Sequence, residues 1–218
     1  MENSQPLLNA LDTDLAYRMS SRRDLFVSSA KKLGVLATVP LVLAAVSQEA
    51  FGKGLPKQVV NVLNFALTLE YIESAFYQTA LSKNFIPKQH LAVFRQISAH
   101  ETEHVNFLKG ALGSAAVKPP KADFTAGGKY ADVFSNFATF LKLSQTFEDL
   151  GVAAYKGQAR NLLGSGGILT AALQIHSVEA RHAAAVRAIG GLKPWTGAFD
   201  EPKTKGQVLA AAKPFLKA

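Results

Sequence analysis

Apolar residues recur at helical spacing in four long stretches, and no window alternates apolar and polar positions as a strand would. The punctuation predicts helices over about Pro56 to Ser82, Lys88 to Leu112, Ala131 to Leu163 and Ile168 to Ile189. Pro87, Gly113, the turn Gly164-Ser165-Gly166-Gly167 and the pair Gly190-Gly191 separate or close them. A tail follows from Leu192, holding Trp195 and a short last helix near Gly206 to Leu216. Each long stretch carries one apolar stripe, such as Val59, Leu63, Ala66, Tyr77 and Leu81 in the first. Four helices with one such stripe each predict an all-α four-helix bundle.

Every stripe is broken near its middle by carboxylates or imidazoles, which is costly unless those groups are paired or bind a metal. Glu101-Thr102-Glu103-His104 and Glu179-Ala180-Arg181-His182 are two E-x-x-H units. Positions i and i+3 share one helical face, so each unit aims a carboxylate and an imidazole at the same point. Glu70 and Glu148 add one carboxylate from each of the other two helices. Glu70 stands 31 residues before Glu101, and Glu148 stands 31 before Glu179. The midpoints fall just before Pro87 and at the glycine turn, so each pair comes level across its own antiparallel hairpin.

A constant offset of 78 residues carries Glu70 to Glu148, Tyr77 to Tyr155, Glu101 to Glu179 and His104 to His182. The same offset pairs Thr68 with Thr146, Ile97 with Ile175 and Gly113 with Gly191. The chain therefore reads as one helical hairpin repeated about a pseudo-twofold axis. If the second and third helices run parallel, the segment after Gly113 must cross the bundle lengthwise. The 18 residues from Gly113 to Tyr130 reach about 60 Å extended, against about 40 Å for a 27-residue helix.

Two glutamates and two E-x-x-H units on four helices, joined by one long crossover, resemble the dinuclear carboxylate site of the ferritin-like superfamily. The stretches from Ala66 to Glu73 and Val178 to His182 also resemble the exported branch related to desiccation-related proteins. The resemblance spans about Pro56 to Ile189 and implies metal ligands Glu70, Glu101, His104, Glu148, Glu179 and His182. Such a donor set suits two divalent ions, Fe or Mn, and it also fits Zn, without a redox cycle. Glu73, Tyr77, Tyr155 and His176 are candidates to support or orient those ligands, while His90 and His100 read as surface residues. Glu73 maps onto Gly151 under the repeat, which favours Glu70 as the ligand.

Composition sharpens this reading. The 218 residues include no Cys, which excludes disulfides, Cys-ligated zinc, Fe–S clusters and a thiol nucleophile. Any metal must sit on oxygen and nitrogen. The net charge is +8, but the basic residues are scattered, so no nucleic-acid partner is expected.

Residues 1–52 read as a leader and linker, 53–191 as the bundle and 192–218 as the tail. Ser21-Arg22-Arg23-Asp24-Leu25-Phe26 precedes an apolar run from Leu33 to Val46, too short to span a bilayer. The order resembles a twin-arginine (Tat) export signal. It predicts passage through the Tat machinery to the periplasm or outside. Both methionines, Met1 and Met19, lie in that leader, so the remainder is free of sulfur. The expected function is redox handling of a small oxidant, peroxide or O₂, in stress protection. The alternatives are a non-catalytic protective protein with a structural or vestigial metal site and, less favoured, iron storage. A homo-oligomer is compatible with each.

Overall fold

The computed structural model describes residues 54–195 and 197–217. The twin-arginine pattern and its apolar run lie outside the described residues. Four long helices follow in order: α1 (Lys57–Ser82), α2 (Leu91–Leu112), α3 (Phe137–Gln158) and α4 (Gly167–Ile189). A short α5 (Lys205–Ala212) closes the chain. Single 3-10 turns sit at Lys88–His90, Gly113–Ala115, Ala159–Leu162 and Lys213–Phe215.

The third helix starts six residues later than the pattern of apolar positions predicts. Val133 and Phe134 continue the apolar spacing, but they lie in a turn and pack against the bundle from outside it. Asn136 sets the true start, its side chain accepting from the backbone N–H groups of Ala138 and Thr139. Asp132 in turn accepts from the Asn136 amide and the Thr139 hydroxyl. A capping residue that satisfies two free N–H donors outweighs propensity at a helix start. The last helix also ends early, at Ala212, where Pro214 cannot continue the backbone ladder.

α1 pairs with α2, and α3 with α4, as two hairpins. The crossover leaves the end of α2, where the Asn64 side chain donates to the Ala115 carbonyl and accepts from the Val117 N–H. It ends at the opposite end of the bundle, where Phe124 and Phe134 pack on Phe76 and Phe137 packs on Phe94. α2 and α3 therefore run parallel.

The core is divided in two along the bundle axis. One apolar cluster joins the start of α1 and end of α2 to the end of α3 and start of α4, with Leu63, Leu67, Leu108, Leu162 and Ile168. The other, at the far end, is aromatic: Phe76, Tyr77, Phe94, Phe140 and Phe147. Phe140 stacks on Phe76 at 5.2 Å and meets Phe94 edge-on at 4.9 Å, contacts that add about 0.5–1.5 kcal/mol each beyond area burial.

The tail straps the outside of α1 and α3. Val208 and Ala212 of α5 join Phe65, Leu69, Leu150 and Ala154 in a flank cluster. The Lys203 N–H donates to the Ala153 carbonyl at 3.0 Å. This approach needs Gly157, because a Cβ there would stand 1.9 Å from the Lys203 carbonyl oxygen. Phe215 and Lys217 then pair with Asp123 and Lys121 of the crossover.

Candidate metal centre

Between the two apolar clusters lies a layer of charge. Glu70, Glu101, Glu148 and Glu179 are fully buried, and Glu73, His104 and His182 nearly so. Each comes from the middle of its helix, where the sequence interrupts the apolar stripe. Burying ionised carboxylates at this depth costs several kcal/mol apiece unless cations or protons compensate.

Two groups of donors converge there, the ligating atoms in each lying within 4.8 Å of one another. Glu70, Glu101, His104 and Glu179 form the first; Glu101, Glu148, Glu179 and His182 form the second. Glu101 and Glu179, the carboxylates of the two E-x-x-H units, belong to both. Glu70 with His104 and Glu148 with His182 stand at the two ends. The offset of 78 residues exchanges the groups, so the pseudo-twofold passes between the shared glutamates.

Hydrogen bonding leaves the centre incomplete. Glu101 Oε1, Glu148 Oε2, both Glu179 oxygens and His182 Nδ1 are buried without a hydrogen-bond partner. His182 Nδ1 lies 2.9 Å from Glu101 Oε1 and 3.3 Å from Glu148 Oε2, yet neither contact has hydrogen-bond geometry. His104 Nδ1 lies 3.1 Å from Glu179 Oε1 in the same way, but its contacts with Glu70 Oε2 at 3.2 Å and Glu101 Oε2 at 3.3 Å are hydrogen bonds. Buried polar atoms are normally satisfied, so a cluster of orphaned lone pairs aimed at common points is what cation ligands look like.

The electrostatics agree. Burial, together with the neighbouring carboxylates, pushes Glu73, Glu101 and Glu179 well above the usual carboxylate range. Burial also opposes ionisation of Glu70, but the His104 ring together with hydrogen bonds from Glu101 and Tyr155 outweighs it and holds Glu70 below that range. His104 is pushed up, since Glu70, Glu101 and Glu179 overcome the desolvation of its ring. Without a cation the cluster keeps protons that a divalent ion would displace.

The two tyrosines cross between the hairpins. Tyr77 on α1 donates to Glu148 Oε1 on α3, and Tyr155 on α3 donates to Glu70 Oε1 on α1, each at 2.5 Å. They are core aromatics with bonded hydroxyls, and the partners are the two end glutamates, each on the other helix. Glu73 faces Gly151, the position it maps onto: a Cβ there would lie 2.9 Å from Glu179 Oε2 and 3.3 Å from Glu73 Oε1. A small cavity lined by Ile72, Glu73, Leu150, Gly151 and Ala212 opens at this point. An apolar cavity lined by Leu63, Ala66, Leu108 and Ile175 reaches Tyr155 from the other side.

His176 is not brought into either donor group. Burial lowers its ring's affinity for a proton, with Lys156 and Asp200 as the charges that bear on it. The residue that sequence reasoning missed is His100. It is half-buried, and its Nδ1 stands 2.8 Å from His182 Nε2. The available signal was its place one turn before His104, on the helix that faces α4.

Comparison with known proteins agrees with the geometry. A family model described as a ferritin-like domain matches residues 58–191, from the start of α1 to just past the end of α4. No curated protein matches the chain.

Proposed function

Because the chain belongs to the ferritin-like domain family, we propose that its buried cluster holds two divalent ions, Fe or Mn, and handles peroxide or O₂. The observation that carries this reading is the set of five buried donor atoms without hydrogen-bond partners, drawn from Glu101, Glu148, Glu179 and His182. Glu70 and His104 would hold one ion, Glu148 and His182 the other, with Glu101 and Glu179 between them. Four carboxylates balance two divalent charges, so the loaded centre is close to neutral. Held there, redox-active ions would supply electrons for reducing a small oxidant.

The protein's own groups prepare that chemistry. The Tyr77 and Tyr155 hydroxyls fix one oxygen of Glu148 and of Glu70; the second oxygen of Glu148 has no partner, and that of Glu70 meets His104 Nδ1 at 3.2 Å. Burial, with Glu179 beside it, pushes the Glu73 carboxyl well above the usual carboxylate range, next to the shared carboxylate. Gly151 leaves room at Glu179 Oε2, and a small cavity lined by Glu73, Gly151 and Ala212 lies beside it. The aromatic and aliphatic clusters above and below exclude bulk water.

The role we assign is protective, in an exported protein. The export reading rests on Ser21-Arg22-Arg23-Asp24-Leu25-Phe26 and on a remainder that lacks Cys and Met. Replacing both arginines, Arg22→Lys with Arg23→Lys, should stop export, and unchanged export rejects that part.

Metal content and consumption of peroxide and O₂ test the centre, with Glu148→Ala and His182→Ala as controls. We expect two ions per chain and turnover that both substitutions abolish. Two ions without turnover leave a centre that only staples the helices, as in a protective protein without catalysis. Full activity in the double variant overturns the ligand assignment.

A further inference from the structure

His182 turns Nδ1 toward Glu101 and Glu148, so its other nitrogen points out of the cluster. That atom, Nε2, meets His100 Nδ1 at 2.8 Å, with the two rings nearly parallel at 14°. His100 Nε2 in turn meets the side-chain nitrogen of Gln96, Nε2, at 2.7 Å, and Gln96 is exposed. A row of polar atoms thus runs from the centre through two imidazoles to solvent.

The row dictates where protons sit. An imidazole that offers a lone pair from Nδ1 carries its proton on Nε2, and this N–H needs an acceptor. His100 Nδ1 is the atom in place to accept. His100 then carries its own proton on Nε2, facing Gln96, whose amide presents its oxygen after a half-turn about its last bond. A metal-bound histidine whose outer N–H is held in this way has a fixed ring orientation and a more basic ligand nitrogen.

The other half of the molecule lacks this device. Position 178 repeats position 100, and it is Val178, which has no side-chain acceptor. The ligand sets of the two halves match, while the support behind their histidines does not.

Resting on the dinuclear reading above, we propose that His100 is a positioning residue that fixes His182 as a ligand. It makes the ion held by Glu101, Glu148, Glu179 and His182 the more tightly bound of the two.

The test is a titration of the metal-free full chain with Co²⁺, followed by calorimetry and visible absorption, in wild type, His100→Ala and His100→Asn. Wild type should take up two ions in two steps. His100→Ala should weaken the tighter step about 10–100-fold and leave the other unchanged. His100→Asn, whose Oδ1 takes about the place of the imidazole Nδ1, should restore the step to within a few-fold. His100→Phe keeps a ring without an acceptor, and stands in for the alanine variant should that one fail to fold. On the Zn²⁺-loaded chain, ¹⁵N NMR should show the His182 proton on Nε2. If His100→Ala weakens both steps equally or neither, or if folded His100→Asn does not restore binding, the proposal is overturned while the dinuclear reading stands. A wild-type chain that takes up no Co²⁺ overturns that reading, and this proposal with it.

Discussion

The hairpin α1–α2 and the hairpin α3–α4 carry the same donors at the same spacing, yet around those donors two unequal pairs of positions stand out. Glu73 in the first faces Gly151 in the second, and His100 in the first answers to Val178 in the second. The equal positions are those whose lone pairs meet at the centre: Glu70 with Glu148, Glu101 with Glu179, and His104 with His182. The unequal positions lie just behind them. A duplicated hairpin thus supplies a symmetric donor set, and asymmetry enters where a side chain can tune a ligand without removing it. The tyrosines bind the halves together, because each donates across to the other hairpin's glutamate.

The most severe way to break this symmetry is to remove a shared carboxylate. Glu101→Ala or Glu179→Ala should abolish uptake of both ions, whereas Glu70→Ala or Glu148→Ala should spare one. Metal analysis after dialysis reads the difference; one ion retained in Glu101→Ala would show that the glutamate is not shared. The crossed tyrosines come next. Tyr77→Phe and Tyr155→Phe each remove a hydrogen bond to a buried carboxylate, a loss of about 1.5–3 kcal/mol. The two variants should fall by equal amounts in denaturant unfolding of the metal-free chain. Unequal losses would mean that the halves already differ at their end glutamates.

Much of this centre was legible beforehand. The E-x-x-H spacing and the 78-residue offset placed all six ligand candidates in the middle of the apolar stripes, and the fold puts them together. The partners of Tyr77 and Tyr155 were not legible, because a side chain's reach between helices depends on how the hairpins pack. His100 was missed because repeat logic values what recurs, and Val178 does not repeat it. The start of α3 was missed because Val133 and Phe134 keep the apolar spacing of a helix while serving as a cover over the aromatic cluster. Apolar periodicity reports burial, and only the Asn136 cap reports where the helix begins.

Proton uptake offers a third comparison, between the metal-free and loaded forms of both halves at once. Glu73, Glu101 and Glu179 have folded pKa values above their unfolded ones, through burial first and neighbouring carboxylates second. Their contribution is fully present below the unfolded value of 4.5 and is lost as pH rises through the folded values. His104 acts in the same sense from its unfolded value of 6.5 upward. Glu70 acts oppositely, its contribution being lost as pH falls, and so do His100 and His176, whose rings burial holds below their ordinary value. The metal-free chain should therefore lose stability from pH 5 to 8, by at most about 1.4 kcal/mol per pH unit for each extra proton held. Mn²⁺ displaces those protons, so the stabilisation it adds should grow over the same range. Thermal melts in EDTA and in Mn²⁺ measure both slopes; a metal-free chain that is more stable at pH 8 than at pH 5 would contradict the arrangement.

The smallest expected effect probes the unequal pair itself. Gly151→Ala adds a methyl group 2.9 Å from Glu179 Oε2 and 3.3 Å from Glu73 Oε1, both on buried side chains with little room to yield. In an open helix the same change would gain about 0.5–1 kcal/mol, since glycine is a poor helix former. Here crowding of the two carboxylates should outweigh that gain and leave a net loss of about 1 kcal/mol, within the range for overpacking a core. Glu73→Ala removes one of the crowded groups. In that background Gly151→Ala should cost less, and a double-mutant cycle by urea unfolding of the metal-free chain should give a coupling of at least about 0.5 kcal/mol. Additive losses would mean that Gly151 makes room for Glu179 alone. The pairing of positions 73 and 151 would then be an accident of the repeat, with no part in seating the extra carboxyl.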